Sequence, residues 1–381
     1  MLNSSTFALM FLNNSEKKVE KRAIDKAIAL LRSEEKLSQE QWCGILLSLD
    51  TTAKEYLASM AREVALCNFG NRVYLRALIE ISSYCHNNCR YCGLRCENTN
   101  AVRYRLVKEQ ILQCCEQAAG LGFNSFVLQG GEDPMQSDEW LAEVVSEIKK
   151  LYPHKAVTLS VGERTFQGYE LLRQAGTDRY LLRHETANKE HYSHLHLQYM
   201  SFDNRKRCLF ALKELGYQVG SGMMIGSPGQ TVEHLAQDLM LLDELQPQMI
   251  GIGPFIPAKG TPFQDERPGS VDDTIFLISL LRLRFPHALI PATTALATLC
   301  GNGTARGILA GANVVMPNMT PLDVRDKYTI YDYKKNHGSE SGLQLKSLAD
   351  ELAKIGYIID FSRGDYNAST GNPTGHAPKA C

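Results

Sequence analysis

Ile81-Ser-Ser-Tyr-Cys85-His-Asn-Asn-Cys89-Arg-Tyr-Cys92-Gly-Leu-Arg95 sets three cysteines at the spacing C-x-x-x-C-x-x-C. One short loop thus supplies three thiolates. A cubane iron–sulfur cluster has four irons, so three protein ligands leave one iron open to bind and reduce a small molecule. Two other readings stand beside this one. His86 could complete a structural zinc site, although such sites draw on two separated ligand pairs and no second pair follows. A disulfide framework suits small secreted domains rather than a chain of this length.

Composition narrows the class. The chain has 381 residues, 44% hydrophobic and 22% charged, enough for one barrel-sized domain with appendages. A formal net charge of −1 gives no electrostatic reason to expect a nucleic-acid or membrane partner. The 11 cysteines are odd in number and clustered, with Cys96 close behind Cys92, which fits a reducing compartment and metal binding. The opening residues carry a short apolar run without a basic segment before it, so no signal peptide is expected. No apolar window has the length of a membrane span. The expected location is the cytoplasm.

Outward from the cysteine loop the pattern alternates. Residues before it read as helical over Ala23–Arg32, Gln39–Leu47 and Thr51–Cys67. From Leu78 onward, eight β-rich runs are expected: Leu78–Ser82, Ser125–Gln129, Ala156–Val161, Tyr180–His184, Gln218–Ile225, Met249–Phe255, Leu289–Thr293 and Asn313–Pro317. Amphipathic stretches separate them, several stopped by glycine, as at Gly120, Gly176, Gly216 and Gly311. Repeated strand–helix units imply a parallel sheet, and about eight strands suit a closed (β/α)8 barrel of the TIM type. An open doubly wound sheet is the alternative, but no G-x-G-x-x-G follows the first strand. The expected division is a helical cap over 1–75, the barrel over 76–342, and a C-terminal helix with a loose tail over 343–381.

In such a barrel chemistry gathers at the C-terminal strand ends. Strand two ends Gln129-Gly130-Gly131-Glu132, where paired glycines permit close backbone approach and Glu132 adds an acceptor. Strand three carries Thr158. Strand four ends Arg183-His184-Glu185, either a structural ion pair or a pair that also holds a ligand. Arg205 opens the next helix and can fork onto a carboxylate. Strand six, Met249-Ile-Gly-Ile252-Gly, suits an adenine-packing edge. Thr293 and Thr294 end strand seven and either bind a polar substrate or cap the next helix. Cys114 and Cys115 read as packing residues on a helix.

These segments resemble the radical SAM superfamily in the cysteine spacing, in Tyr91 before the third cysteine, and in Gly130-Gly131-Glu132 one strand later. Longer stretches are similar to the family of [FeFe]-hydrogenase maturases of the HydE type. They include Phe-Val-Leu-Gln-Gly-Gly-Glu-Asp, Arg-Tyr-Leu-Leu-Arg-His-Glu-Thr-Ala-Asn, Gly-Ile-Gly-Pro-Phe-Ile-Pro and Ala-Asn-Val-Val-Met-Pro-Asn, spread between Arg76 and Tyr331. Biotin synthase and methylornithine synthase are related in appearance.

The resemblance implies one [4Fe-4S] cluster on Cys85, Cys89 and Cys92, its open iron chelating S-adenosylmethionine (SAM). It implies SAM contacts at Tyr91, Gln129, Gly130, Gly131, Glu132, Thr158, Glu185, Arg205 and Ile252. It further implies a substrate cavity lined by Arg76, Arg183, Thr293, Thr294, Met249, Met316 and Tyr331, with Arg183, Glu185 and Met249 nearest the chemistry. The implied substrate is a small anionic organometallic species, an iron carbonyl–cyanide–cysteine precursor. A ferredoxin- or flavodoxin-type electron donor and other hydrogenase maturases are the implied partners. No cysteine lies between Cys300 and Cys381, so no auxiliary cluster is expected. Cys96 is not expected to ligate, because filling the open iron would displace SAM.

Overall fold

The computed structural model describes residues 14–334 and 341–367. Three helices come first: α1 (Asn14–Leu31), α2 (Gln39–Ser48) and α3 (Thr51–Phe69). Ser38 caps α2 through the Gln41 amide and Asp50 caps α3 through the Ala53 amide, supplying acceptors for otherwise orphaned N–H groups. The apolar faces of these helices, including Trp42, Leu57 and Ala61, are buried in the core they share with later helices.

The chain then alternates: β1 (Arg72–Leu75), β2 (Ala77–Ser82), α4 (Lys108–Gly120), β3 (Ser125–Gly130), α5 (Asp138–Leu151), β4 (Ala156–Ser160), α6 (Phe166–Gln174), β5 (Arg179–Leu181), α7 (Lys189–Leu195), α8 (Phe202–Glu214), β6 (Gln218–Ser221) and β7 (Met224–Ile225). It continues with α9 (Val232–Leu245), β8 (Met249–Ile250), β9 (Gly253–Pro254), α10 (Val271–Arg284), α11 (Thr294–Leu299), α12 (Gly303–Leu309), β10 (Val314–Val315), α13 (Leu322–Arg325), α14 (Ser341–Lys354) and β11 (Ile358–Asp360). No described helix is long and apolar enough to cross a membrane.

All named strand pairings are parallel. The order β2-β3-β4-β5-β6-β8 makes one side of the ring. Single bridges complete it, from Met249 to Leu289, from Pro291 to Val314 and from Asn318 back to Leu78. The seventh stave, expected as the strand Leu289–Thr293, is held only by such bridges. Pro291 has no N–H to donate, which interrupts the ladder there.

Alternation along each strand divides inside from outside. Ala77, Ile79 and Ile81 face the helical shell, as do Phe126, Leu128, Val157, Leu159 and Tyr180. Their neighbours Arg76, Glu80, Thr158 and Arg179 face the interior and are at most 4% exposed. By the same alternation Leu78 and Val127 also point inward, so the interior mixes charged, hydroxyl and apolar side chains.

Two strands lie outside the expected eight. β1 falls where the helical cap was expected to end, and pairs with β10. β11 falls in the expected tail, and pairs with the other side of β1. The chain after β11 crosses the floor of the barrel. Buried Arg179 donates to the carbonyls of Arg363 and Gly364 and meets Asp365 at 2.6 Å. Arg76 also reaches the Gly364 carbonyl, at 3.5 Å. The tail from 368 onward lies outside the described residues.

Removing one partner of a buried ion pair leaves the other uncompensated, at about 3 kcal/mol. Asp365 is half-screened by solvent, so Asp365→Ala is expected to cost about 2 kcal/mol, read as a lowered Tm with the fold retained. The arginines Arg363 and Arg179 hold the Asp365 carboxyl below the ordinary range against its burial. Its depressed pKa means that this stability is present above about pH 4 and lost as pH falls through the folded value. The Tm difference between wild type and Asp365→Ala should therefore shrink on acidification; an unchanged difference at low pH would contradict the assignment.

Candidate active site

The three cysteines lie on the long loop after β2. The loop is packed from several sides. The Gly93 N–H donates to the Ile330 carbonyl, the Arg90 N–H to the Leu195 carbonyl, and the His86 N–H to the Glu132 carbonyl. Arg103 gathers the carbonyls of Leu94 and Arg95 from within. Cys85, Cys89 and Cys92 are all partly buried, and Cys96 is exposed. Burial pushes the Cys85 thiol up to about 11 and the Cys92 thiol up to about 12. Burial raises Cys89 as well, followed by the fields of Cys92 and Cys85. Thiols gathered this way ionise when a cation shares their charge, which is what a metal cluster supplies.

The zinc alternative finds no support in the placement of His86. Its Nε2 faces Glu132 Oε2 at 3.4 Å. Among the described residues no three His, Cys, Asp or Glu side chains, the three loop thiols included, converge on one ion; a cubane spreads its ligands over different irons and does not require that.

Gly131 shows why the turn after β3 must be glycine. A Cβ there would sit 2.3 Å from the Tyr84 carbonyl oxygen and 2.6 Å from Cys85 Cβ. The turn thus lies directly against the cysteine loop. Asp133 locks it from behind, accepting from Ser82 Oγ at 2.6 Å and from both Arg105 Nε and Nη2.

A chain of bonds then crosses the mouth of the barrel. Glu132 Oε1 accepts from the Glu163 N–H at 3.0 Å. The Glu163 carboxylate takes Arg205 Nε at 2.5 Å and the Asn204 amide. Arg205 Nη1 donates to the Arg183 carbonyl at 2.6 Å. Arg205 is therefore buried and preoriented, with Nη2 left for a further acceptor. Glu185 follows with φ of 63°, a left-handed backbone that a residue with a Cβ rarely adopts. Such strain persists where the surroundings enforce it, and it clusters at functional sites.

Arg183 and Glu185 do form an ion pair, Nη2 to Oε2 at 3.1 Å. Its angles make no hydrogen bond. Arg183 Nε and Nη2, Glu185 Oε2, Thr158 Oγ1, Arg76 Nε and Thr293 Oγ1 are all buried without a hydrogen-bond partner among the described residues. Thr293 occupies the cap position of α11 yet makes no capping bond, so its hydroxyl is left to the cavity. Buried polar groups without partners are costly unless a ligand satisfies them.

Below this layer Arg76 Nη1 reaches Met249 Sδ at 3.0 Å. Met249 sits with Tyr74, Leu289 and Val314 in an apolar floor, and Met316 packs against it. Above it, Gln129 Nε2 meets Tyr328 Oη at 3.4 Å. Tyr331 is hydrogen-bonded with Thr298, and burial pushes its phenol up. Thr294 begins α11 beside Thr293. Tyr91 sits under the cysteine loop, its hydroxyl on His196 Nε2 at 3.2 Å. His196 Nδ1 faces the Tyr192 carbonyl, and burial lowers this imidazole to about 3, so it is neutral and accepts from Tyr91.

Ile252 is the expected residue that the structure does not bring here. It is fully buried among the helices outside the ring, with Met223, Ile225 and Ile250. Strand alternation turns Gly251 and Gly253 inward and the isoleucines outward. Other residues were not singled out from sequence: Glu163, which holds Arg205, and Glu80, which pairs inside the barrel with Lys334 and accepts from Asn318. Glu80 is a charged residue within the apolar strand β2, and Glu163 lies three residues past the end of β4, much as Arg183 and Glu185 lie just past β5.

The donor set fits the group that the sequence implies: three gathered thiols, a glycine turn against them, an oriented arginine, and unpartnered polar atoms beneath. Comparison with known proteins agrees. A model of the radical SAM superfamily matches residues 79–242. The chain is 44% identical over 285 residues to the [FeFe] hydrogenase maturase subunit HydE of Thermotoga maritima, covering 75% of this chain and 81% of that protein. It is 33% identical to a 3-methylornithine synthase of Methanosarcina acetivorans, over 71% of this chain and 76% of that one. A crystal structure of methylornithine synthase (PylB) superposes with a TM-score of 0.74 at 30% identity, covering 89% of this chain and 97% of that one. With the thiol loop, the glycine turn and the polar barrel in place, the chain belongs to the radical SAM superfamily and, within it, to the family of the maturase subunit HydE.

Proposed function

We propose that this radical SAM enzyme works in assembly of the [FeFe]-hydrogenase active site, acting on a small anionic iron carbonyl–cyanide–cysteine precursor. The observation that carries the reading is the set of guanidinium and hydroxyl atoms of Arg183, Arg76, Thr158 and Thr293 that are buried without a hydrogen-bond partner among the described residues. The 44% relative supports hydrogenase maturation over the more distant methylornithine synthase, at 33%.

Cys85, Cys89 and Cys92 would hold the [4Fe-4S] cluster. When bound and reduced, the cluster supplies the electron that breaks a sulfonium–carbon bond of SAM, giving methionine and a 5′-deoxyadenosyl radical. The remaining work falls to side chains. The Gly130–Glu132 turn takes the ammonium of SAM, and the free Nη2 of Arg205 takes its carboxylate, held in aim by Glu163. Gln129, Thr158 and Glu185 line the rest of its site. Arg183, Arg76, Thr293 and Thr294 offer cationic and hydroxyl donors to an anionic substrate below. Met249 and Met316 give it an apolar floor, and Tyr328 and Tyr331 close it above.

One cluster suffices for this reading, with a ferredoxin- or flavodoxin-type donor in a reducing cytoplasm and with other maturases as partners. Anaerobic reconstitution should then give about four irons per chain. Cys89→Ala should lose both the reduced-cluster signal in electron paramagnetic resonance and SAM cleavage; retained cleavage would overturn the ligand assignment.

Gly131→Ala should force the turn off the Cys85 loop and weaken SAM binding by at least about 10-fold. Gly44→Ala is the control, since nothing lies within 4 Å of the added methyl. Equal SAM affinity in both variants would show that the turn is not in contact with the site. Arg183→Ala should retain cluster and uncoupled SAM cleavage but lose hydrogenase maturation; normal maturation would make Arg183 structural.

A further inference from the structure

Behind Glu185, on the outer face of the barrel wall, lies a fully buried pair that the site does not use. His184 and Asp238 are both 0% exposed, and His184 Nε2 faces Asp238 Oδ1 at 3.5 Å. Their protons can be counted. Ser221 Oγ lies 3.1 Å from the Leu182 carbonyl and 2.9 Å from His184 Nδ1, and its single proton serves one of them. When that proton goes to the carbonyl, Nδ1 carries a hydrogen and donates to Oγ, and Nε2 needs a further proton to face the carboxylate. When it goes to Nδ1, the neutral imidazole carries its hydrogen on Nε2. Either way one proton lies between Nε2 and Oδ1, since a bare lone pair against a buried carboxylate leaves both unsatisfied. Asp238 Oδ2 has no hydrogen-bond partner among the described residues.

Asp238 has a second task. Its Oδ1 accepts from the Ala187 N–H. The carboxylate on α9 thus grips the chain on both sides of Glu185, at residue 184 through the imidazole and at 187 through the backbone. Between these grips Thr186 N–H folds back to the His184 carbonyl at 2.8 Å, and Glu185 N–H reaches the Gly222 carbonyl at 3.1 Å. The left-handed backbone of Glu185 is confined to this span.

We infer that Asp238 and His184 are positioning residues for SAM: sharing one proton, they anchor the β5–α7 turn that presents Glu185 to the site. The inference rests on the reading of Glu185 as a SAM contact. Burial raises the Asp238 carboxyl, while His184 lowers it, in keeping with a proton held between them. The other ionisable groups around the pair are Arg183 and Glu185 on the same strand end, His191 on α7 and His234 on α9.

The test separates a positioning role from a merely structural one. Asp238→Asn keeps a neutral acceptor at the one oxygen that faces both the Ala187 N–H and His184 Nε2, so both grips survive with the proton carried on Nε2. SAM affinity, read as the SAM-dependent shift of the cluster's electron paramagnetic resonance signal, should stay within about 2-fold of wild type. Asp238→Leu removes both grips and should weaken SAM binding about 10-fold or more, at unchanged iron content.

In cluster-free protein the amides of Glu185 and Ala187 should exchange faster in Asp238→Leu and at the wild-type rate in Asp238→Asn. If Asp238→Leu does not fold, Ser221→Ala removes the hydroxyl that orients His184 and contacts the Leu182 carbonyl, and should weaken SAM binding about 3-fold. Wild-type affinity in Asp238→Leu or, failing that, Ser221→Ala overturns the inference, as does equal loss in the Asn and Leu variants. If wild type itself shows no SAM-dependent shift, the SAM reading fails, while the exchange rates still report whether the anchor exists.

Discussion

The structure depends on closing a ring of parallel strands around charge. A packed barrel fills its interior with apolar side chains. Here the buried inward positions include Arg76, Glu80 and Arg179, and Arg183 stands partly exposed at a strand end above them. Each charge must be compensated inside a wall that excludes water. The protein divides the problem by depth. At the floor, Arg179 is satisfied by backbone carbonyls and Asp365. Near the roof, Glu80 is satisfied by Lys334 and Asn318. Between them, atoms of Arg183, Thr158 and Thr293 lack hydrogen-bond partners among the described residues, although Arg183 is ion-paired with Glu185. Polar atoms left incomplete inside a scaffold are what a bound ligand would satisfy.

The mouth of the chamber is organised by the same economy. Glu132, Glu163 and Arg205 hold one another in sequence, so no member reaches the centre by chance. Arg205 spends two of its three guanidinium nitrogens on the protein and leaves the third, Nη2, for a further acceptor. The left-handed Glu185 is held by its bridge to Met223, its N–H bond to the Gly222 carbonyl and the α9 carboxylate that takes the Ala187 N–H. Strain of this sort needs a rigid frame, and the buried His184 and Asp238 are part of that frame.

Much of this was legible before any fold was known. The cysteine spacing, the glycine pair and the alternation of strands with glycine-stopped helices led to a barrel with its chemistry at the strand ends. Charged residues on apolar strands marked Arg183 and Glu185. Elsewhere the sequence misled or was silent for definite reasons. Ile252 was read by composition, where strand parity turns it outward. β11 was assigned to the tail because it is three residues long, with Ile358 53% exposed. The floor partners of Arg179 at residues 363 to 365 lie nearly two hundred positions away, and nothing local announces them. His184 was quoted, but its partner on α9 is invisible without the packing of helix on strand.

The floor has a consequence for how the chain is made. β1 is flanked by β10 on one side and β11 on the other, so the strand that emerges first waits for the two that emerge last. During synthesis the nascent barrel remains unsealed, its interior arginines open to water, until residues near 365 have left the ribosome. Contacts so distant in sequence make for slow closure. The chamber that guards reactive chemistry in the mature enzyme is thus the last thing to exist, and metal loading before that point would meet an open vessel.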